Sequence, residues 1–239
     1  MKPIARWTIG NTNSSGYECL NLSIKSFKKL YDVDVVVCYN CPTETIKNIY
    51  IGDKIDLINQ MDSAKFSKIK PIGVAWKLYP SRINSRNHEI VIDNDIIFKE
   101  RIPEIDTFFE NDCSLLLEGD SRTYGRFEKH VPTGYQINSG IYGMPPNFDF
   151  QKYIDFYCKE EDWEINALGQ NKESATFDEQ GLVALTLLSY KKFVIIPATS
   201  VTNCEKELIV SKGMHFIGLN RRTHHRSFQL YKNLETKFF

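Results

Sequence analysis

Asp93 and Asp95 stand at the end of an apolar run, Ile90-Val91-Ile92, with only Asn94 between them. An apolar stretch without polar alternation suits a strand covered on both faces of a parallel sheet. Ligands of such sheets gather beyond the carboxyl ends of the strands. Two carboxylates at that edge form an oxygen-rich, negative pocket for a hard divalent cation such as Mn²⁺ or Mg²⁺, which commonly brings phosphates with it. A second copy of the pattern, Asp32-Val33-Asp34, precedes its apolar run, Val35-Val36-Val37. Its carboxylates fall at the amino end of the strand, away from the ligand edge. The first pair points to a metal- and nucleotide-dependent enzyme, the second to a solvated strand start.

Other segments carry matching chemistry. The loop after the opening strand, from Thr8 through Gly10 to Gly16, is built of small residues that let backbone approach a ligand. Tyr17 beyond it either stacks on a base or fills the first core position of its helix. Asn138 and Ser139 precede Gly140; amide and hydroxyl groups suit sugar hydroxyls, although a tight turn reads the same. Asp178, Glu179, Gln180 and Gly181 fall at a predicted helix start, where the dipole favours carboxylates whatever their task. Lys212, His215, Gly218, Arg221 and Arg222 form a basic segment. There His215 can complete a carboxylate metal site and the cations can hold a diphosphate, or the whole is a solvated tail with one core histidine.

The elements that must position these residues alternate between strand and helix. Ile4–Ile9 reads as a strand, followed by Tyr17, Leu20, Ile24, Phe27 and Tyr31 at helical spacing, with Ser15 and Glu18 as its capping box. Strands are predicted at 34–38, 54–58, 114–117, 137–142 and 193–196. A helix is expected at 75–83, another around Phe150, Tyr153, Ile154 and Tyr157, and a third opened by a Thr176/Glu179 capping box. Such alternation argues for an α/β domain with a mostly parallel central sheet flanked by helices. No repeat or linker divides the chain, so one domain is expected, and residues 118–134 form a long connection suited to a substrate mouth. Arg122, Tyr124 and Arg126 within it either meet an acceptor or face water.

Composition excludes several classes. The 239 residues are 42% hydrophobic and 13% aromatic, ample for a packed core. With 30 basic and 30 acidic side chains the formal charge is zero, which argues against a general nucleic-acid or anionic-membrane binder. The amino terminus lacks a long apolar leader and no run approaches a membrane span, so a cytoplasmic, soluble protein is expected. Six scattered cysteines are expected as thiols. Cys38-Tyr39-Asn40-Cys41 follows a strand as a redox motif would, without a second pair for zinc.

The order of motifs, a buried strand ending in D-x-D, then N-S-G, then [DE]-Q-G, then H-F-x-G, resembles the GT-A fold nucleotide-sugar glycosyltransferases, especially their glycogenin and bacterial galactosyltransferase branch. The resemblance spans nearly the whole chain, from the Thr8 loop to Arg222. It implies a single GT-A domain over 1–239, with a nucleotide-binding half at about 1–98, a donor-sugar and acceptor half at about 99–222, and a tail. It implies a divalent cation, Mn²⁺ or Mg²⁺, held by Asp93, Asp95 and His215. It implies a nucleotide-sugar donor, UDP-sugar favoured, and a glycan, protein or lipid-linked acceptor. Thr8, Gly10, Tyr17, Lys77, Asn94, Asn138, Ser139, Lys212, Gly218, Arg221 and Arg222 then surround the donor. Glu179 and Gln180, with Asp178 beside them, lie near the anomeric carbon. The sequence departs from the pattern at Asn94, where relatives have a small residue, and at Gly218-Leu219-Asn220-Arg221, where they often place lysine. A sugar nucleotidylyltransferase would share fold and metal but resembles its own relatives in a G-x-G-T-R loop, absent from 10–16. A catalytically inactive binding module of the same fold is the other alternative.

Overall fold

The computed structural model describes residues 1–47, 54–61, 73–160, 172–203, 210–217 and Phe228. In chain order β1 (Ile4–Ile9) leads through α1 (Ser14–Leu30) to β2 (Asp34–Tyr39), then α2 (Thr43–Lys47) and β3 (Ile55–Asn59). A 3-10 segment at Gly73–Leu78 precedes β4 (Glu89–Ile92) and β5 (Ile96–Phe98). Next come α3 (Pro103–Glu110), β6 (Ser114–Glu118), a 3-10 turn at Gly125–Phe127, β7 (Ile137–Met144) and α4 (Phe150–Glu160). The described chain continues with α5 (Lys172–Leu188), β8 (Phe193–Ile196), β9 (Val201–Thr202) and β10 (Gly213–His215).

A seven-stranded sheet has the order β3-β2-β1-β4-β7-β6-β8. β1, β2, β3 and β4 run parallel, as do β6 and β8, while β7 is antiparallel to both its neighbours. A three-stranded sheet, β5-β10-β9, stands beside it. There β10 pairs antiparallel with β5, setting His215 opposite Ile96, Met214 opposite Ile97 and Gly213 opposite Phe98. The run from Ile90 to Phe98 is thus two strands in different sheets, with the aspartates in the turn between them.

Period-2 alternation sends neighbouring side chains to opposite faces. Ala5, Trp7, Ile9, Ile90, Ile92, Leu115, Leu117 and Ile141 meet Leu20, Ile24, Phe27, Ile105 and Phe108 of α1 and α3. Val91, Leu116, Tyr142 and Met144 meet Phe150, Ile154, Leu182 and Leu185 of α4 and α5. Polar groups on the buried face of α1 have defined tasks. Ser23 Oγ accepts from Trp7 Nε1 at 2.9 Å, and Ser26 Oγ accepts from Phe98 N at 3.1 Å, tying β5 to the helix.

Arg6, fully buried on β1, pairs with the equally buried Glu89 at 3.1 Å. Its guanidinium also donates to Pro80 O at 2.5 Å and Lys77 O at 3.3 Å. Glu89 accepts from Ile83 N at 2.8 Å. Gln60 takes Asn40 Nδ2 at 3.2 Å and donates to Trp76 O at 2.6 Å and to Tyr79 O. The 73–83 segment is therefore held by side chains of β1, β4 and the end of β3.

The expected helix over 75–83 is instead the short 3-10 segment, followed by bends. Pro80 has no N–H for a helical ladder, and the carbonyls of Trp76, Lys77 and Tyr79 are spent on long-range partners. The first capping box is also replaced. Asn13 caps α1, its side chain accepting from Gly16 N at 2.9 Å, and Ser15 lies inside the helix. Thr176 is likewise no cap, because α5 begins at Lys172, and 178–180 sit nearly two turns into it.

Candidate active site

The carboxyl ends of β1 and β4 open on one edge, and the D-x-D turn closes it. Asp93 N donates to Gly140 O at 2.8 Å, extending the β4–β7 ladder by one step, and Phe216 N donates to Asp95 O at 2.8 Å. These two backbone bonds bring the turn, β7 and β10 together. Asp93, Asp95 and His215 each place one ligand atom within 4.8 Å of the others. His215 Nε2 lies 3.3 Å from Asp95 Oδ1 and 3.7 Å from Asp93 Oδ2. Asp95 Oδ1 is buried without a hydrogen-bond partner, as is His215 Nδ1. An unpaired buried carboxylate oxygen beside an imidazole is the donor set a divalent cation takes, so the residues fit such an ion. By contrast, Asp32 and Asp34 are exposed and pair with Lys2 at 2.7 and 3.5 Å.

Lys77 lies behind the pair. Its ammonium is 3.0 Å from Asp93 Oδ1, 3.4 Å from Glu179 Oε1, and donates to both Ser139 oxygens at 3.2 Å. Burial opposes its charge, but Asp93 and Glu179 together hold its pKa well above the ordinary lysine value. Burial, with Asp95 close by, raises Asp93 despite Lys77, whereas His215 outweighs burial at Asp95 and lowers it. Glu179 is 1% exposed and accepts from Ser139 Oγ at 2.8 Å. Burial foremost, and Asp93 in addition, push its carboxyl up to about 7 against the attraction of Lys77.

That shift has a consequence for stability. Below about pH 4.5 Glu179 is protonated whether the chain is folded or not, and contributes nothing. Between 4.5 and 7 it ionises more readily unfolded, so folding loses stability as pH rises, and above 7 the full penalty stands. Glu179→Gln should therefore gain on the native metal-free protein across this window, by on the order of 3 kcal/mol at pH 8. Urea denaturation in chelator at pH 4.5 and pH 8 checks this; a difference that does not change with pH would contradict it.

Of the three neighbours on α5, Glu179 and Gln180 share Ser139, while Asp178 turns to Arg126. Asp178 accepts from Arg126 N at 2.8 Å and Nε at 3.0 Å. Gln180 accepts from Ser139 N at 3.3 Å and donates to Thr123 O at 2.9 Å. At Gly181 a Cβ would collide with Tyr124 O and Phe127, so this glycine serves helix–loop packing. The loop between β6 and β7 is correspondingly fixed. Arg122 donates to Glu128, Val131 and Pro132, and Tyr124, fully buried, donates its hydroxyl to Tyr135 O and accepts from Ile137 N. Arg122 and Tyr124 thus brace the loop instead of facing water.

The remaining predicted donor residues are placed as follows. Thr8, one residue before the end of β1, has its hydroxyl oxygen buried and lacking a hydrogen-bond partner. Gly10 packs so tightly that a Cβ would fall 2.8 Å from Asn40 Oδ1. Tyr17 packs on the α1-side core and donates to Gly10 O at 3.3 Å, closing the loop. Asn94 Nδ2 reaches Gly16 O at 3.4 Å, joining the D-x-D turn to α1. Asn138 accepts from Gly140 N at 2.7 Å. Lys212 lies at the other end of β10 from His215, its carbonyl taken by Lys99 N at 2.7 Å. Gly218, Arg221 and Arg222 lie outside the described residues. The structure adds residues that the sequence did not single out. Arg6 positions Lys77 through its carbonyl and Gln60 does so through the carbonyls of Trp76 and Tyr79 on either side, and neither lies in a motif. Cys38 and Cys41 are buried free thiols, and burial pushes Cys38 up to about 11, the reverse of a redox thiolate. No described helix is long and apolar enough to cross a membrane.

The whole arrangement, a mixed sheet with its carboxylate turn at the switch between β1 and β4, superposes on solved glycosyltransferases. Mouse xyloside xylosyltransferase 1 in its apo form matches with a TM-score of 0.56 at 11% identity, over 90% of this chain and 97% of that one. The galactosyltransferase LgtC, solved with donor and acceptor sugar analogues, matches with a TM-score of 0.58 at 12% identity, over 96% and 95%. The glycosyltransferase GlyE of Streptococcus pneumoniae TIGR4 matches with a TM-score of 0.53 at 13% identity, over 95% and 60%. No protein-family profile and no curated protein sequence matches the chain. The protein has the GT-A fold, and at these identities the likeness is one of architecture.

Proposed function

We propose that this protein is a metal-dependent glycosyltransferase that moves a sugar from a nucleotide-diphosphate sugar, UDP-sugar favoured, to an acceptor hydroxyl. The observation that carries the reading is the meeting of Asp93, Asp95 and His215 at the ligand edge of a GT-A sheet, with Lys77 and Glu179 packed behind them. Asp93 and Asp95 offer carboxylate oxygens, and His215 offers Nε2, to Mn²⁺ or Mg²⁺. When bound, that cation supplies electrostatic stabilisation of a departing diphosphate. Lys77 keeps positive charge beside Asp93, and Arg221 and Arg222 are candidates for further diphosphate oxygens. Tyr17 and the Thr8–Gly10 loop border the space a nucleotide base would take, while Asn138 and Ser139 border that of the donor sugar.

Glu179 is committed to Ser139 and Lys77, and Gln180 to Ser139 and Thr123, so both are held in fixed orientation near the reacting centre. Asp178, engaged with Arg126, anchors the loop that would border the acceptor. The likeness to the glycogenin branch favours retention of anomeric configuration, and anomeric coupling in the proton NMR spectrum of the first product tests it.

The direct test is a panel of nucleotide sugars assayed for metal-dependent hydrolysis without acceptor. Cleavage of one sugar nucleotide only in the presence of Mn²⁺ or Mg²⁺ is expected. Pyrophosphate release from UTP and a sugar phosphate would indicate a nucleotidylyltransferase instead. Calorimetry showing no UDP binding with Mn²⁺ present would indicate an inactive module. Because only the folded chain brings the three ligands together, Mn²⁺ at a hundredfold excess over its Kd should add about 2.7 kcal/mol of stability. That is roughly 5–10 °C in Tm for a chain of this size, measurable by thermal melting with and without chelator.

A further inference from the structure

Gly140 lies on β7 directly behind the metal residues, and every group it offers is used. Its carbonyl accepts the Asp93 N–H at 2.8 Å, and its own N–H donates to Asn138 Oδ1 at 2.7 Å. A Cβ at this position would fall 2.6 Å from His215 Cε1, 3.1 Å from His215 Nδ1 and 2.7 Å from Asn138 Oδ1. Its backbone is not in the left-handed region, so space, and not conformational freedom, accounts for the glycine. Metal-binding histidines are commonly oriented by donating their second ring N–H to a carbonyl or carboxylate. Here His215 Nδ1 is buried and makes no such bond. The ring must be fixed by shape.

We propose that Gly140 is a positioning residue for the divalent cation: its bare Cα seats the His215 ring while its carbonyl sets Asp93. One residue of the main sheet thereby fixes an imidazole arm that arrives from the other sheet and a carboxylate arm that arrives from the D-x-D turn. Asn138 acts through the same residue, since its Oδ1 holds the Gly140 N–H and occupies part of the space that a side chain there would need. The inference rests on the metal reading of this site given above.

Mn²⁺ affinity, followed by the loss of free-ion EPR signal, tests it independently of turnover. Gly140→Ala should weaken binding by about 10–100-fold, the range seen when the groups that orient metal ligands are removed. His215→Asp keeps a ligand but removes the ring. In that background the Gly140→Ala change should cost much less, a non-additivity expected only of residues that act on each other. Native affinity in Gly140→Ala, or the same fold-loss in both backgrounds, would overturn the proposal. If the alanine variant does not fold, the native protein decides. NOE cross-peaks between His215 Hε1 and Gly140 Hα should appear in chelator and persist on adding Mg²⁺, and their absence in chelator overturns the seat. A native protein that binds no Mn²⁺ at all would instead refute the metal reading itself.

Discussion

Asp95→Ala should lower both sugar transfer and acceptor-free donor hydrolysis by at least about 10²-fold, the scale of losing one preorganised electrostatic group in a site that excludes water. The side chain is half-buried, its Oδ1 atom is buried without a hydrogen-bond partner, and His215 keeps its proton affinity low against the cost of that burial. It is therefore ionised and free to bind a cation across the working pH range. The same substitution should abolish the Mn²⁺-dependent rise in Tm and modestly lower the metal-free melting temperature, because a lowered proton affinity means that folding favours the ionised carboxylate beside His215. Asp34→Ala provides the control: the same residue type in the same D-x-D pattern, but exposed at the amino end of β2 beside Lys2. It should leave activity and metal response unchanged. Undiminished transfer by Asp95→Ala refutes the assignment.

Arg6→Met should strongly destabilise the sheet. Arg6 and Glu89 have fully buried side chains, and removing Arg6 leaves the buried Glu89 with only the more distant Arg82 at 3.8 Å, a loss of about 3 kcal/mol. That corresponds to roughly 10 °C in Tm. Arg6→Met/Glu89→Gln should recover much of the loss, since glutamine still accepts from Ile83 N without carrying charge. Activity should not recover in parallel. Arg6 and the Tyr142 hydroxyl, at 3.3 and 3.2 Å, both hold the Lys77 carbonyl, and Lys77 in turn neutralises Asp93. Thermal melts and initial rates on the single and double variants separate the two effects. A double variant as unstable as Arg6→Met would contradict the charge argument.

Most strands of the central sheet were legible in the sequence because they are continuous apolar runs, such as Glu89–Ile92 and Ser114–Glu118, bounded by turn residues. The motif order was legible too, although only D-x-D falls at an element end; N-S-G lies within β7 and E-Q-G within α5. What stayed hidden is long-range. Residues 75–83 carry apolar side chains at helical spacing, yet Arg6, Gln60 and Tyr142 claim their carbonyls from far along the chain. Asp178 looked equivalent to Glu179, and only the partnership with Arg126 sets them apart. Nothing local says what Gly140 and Gly181 make room for, and the space they leave is filled by His215 and by the Tyr124 loop. Local sequence records that a residue is small, not what comes close to it.

The pairing of β5 with β10 turns a short ladder into a condition for the proposed metal binding. Side chains alternate along β10, so a shift of one residue against Ile96–Phe98 would present Met214 or Phe216 to the aspartates where His215 now stands. A thioether or a phenyl ring offers a hard cation little. Competence for the cation is thus a digital property of strand alignment. A one-step slip of β10 against β5 would take the histidine away from the proposed cation site with every ligand still in the chain.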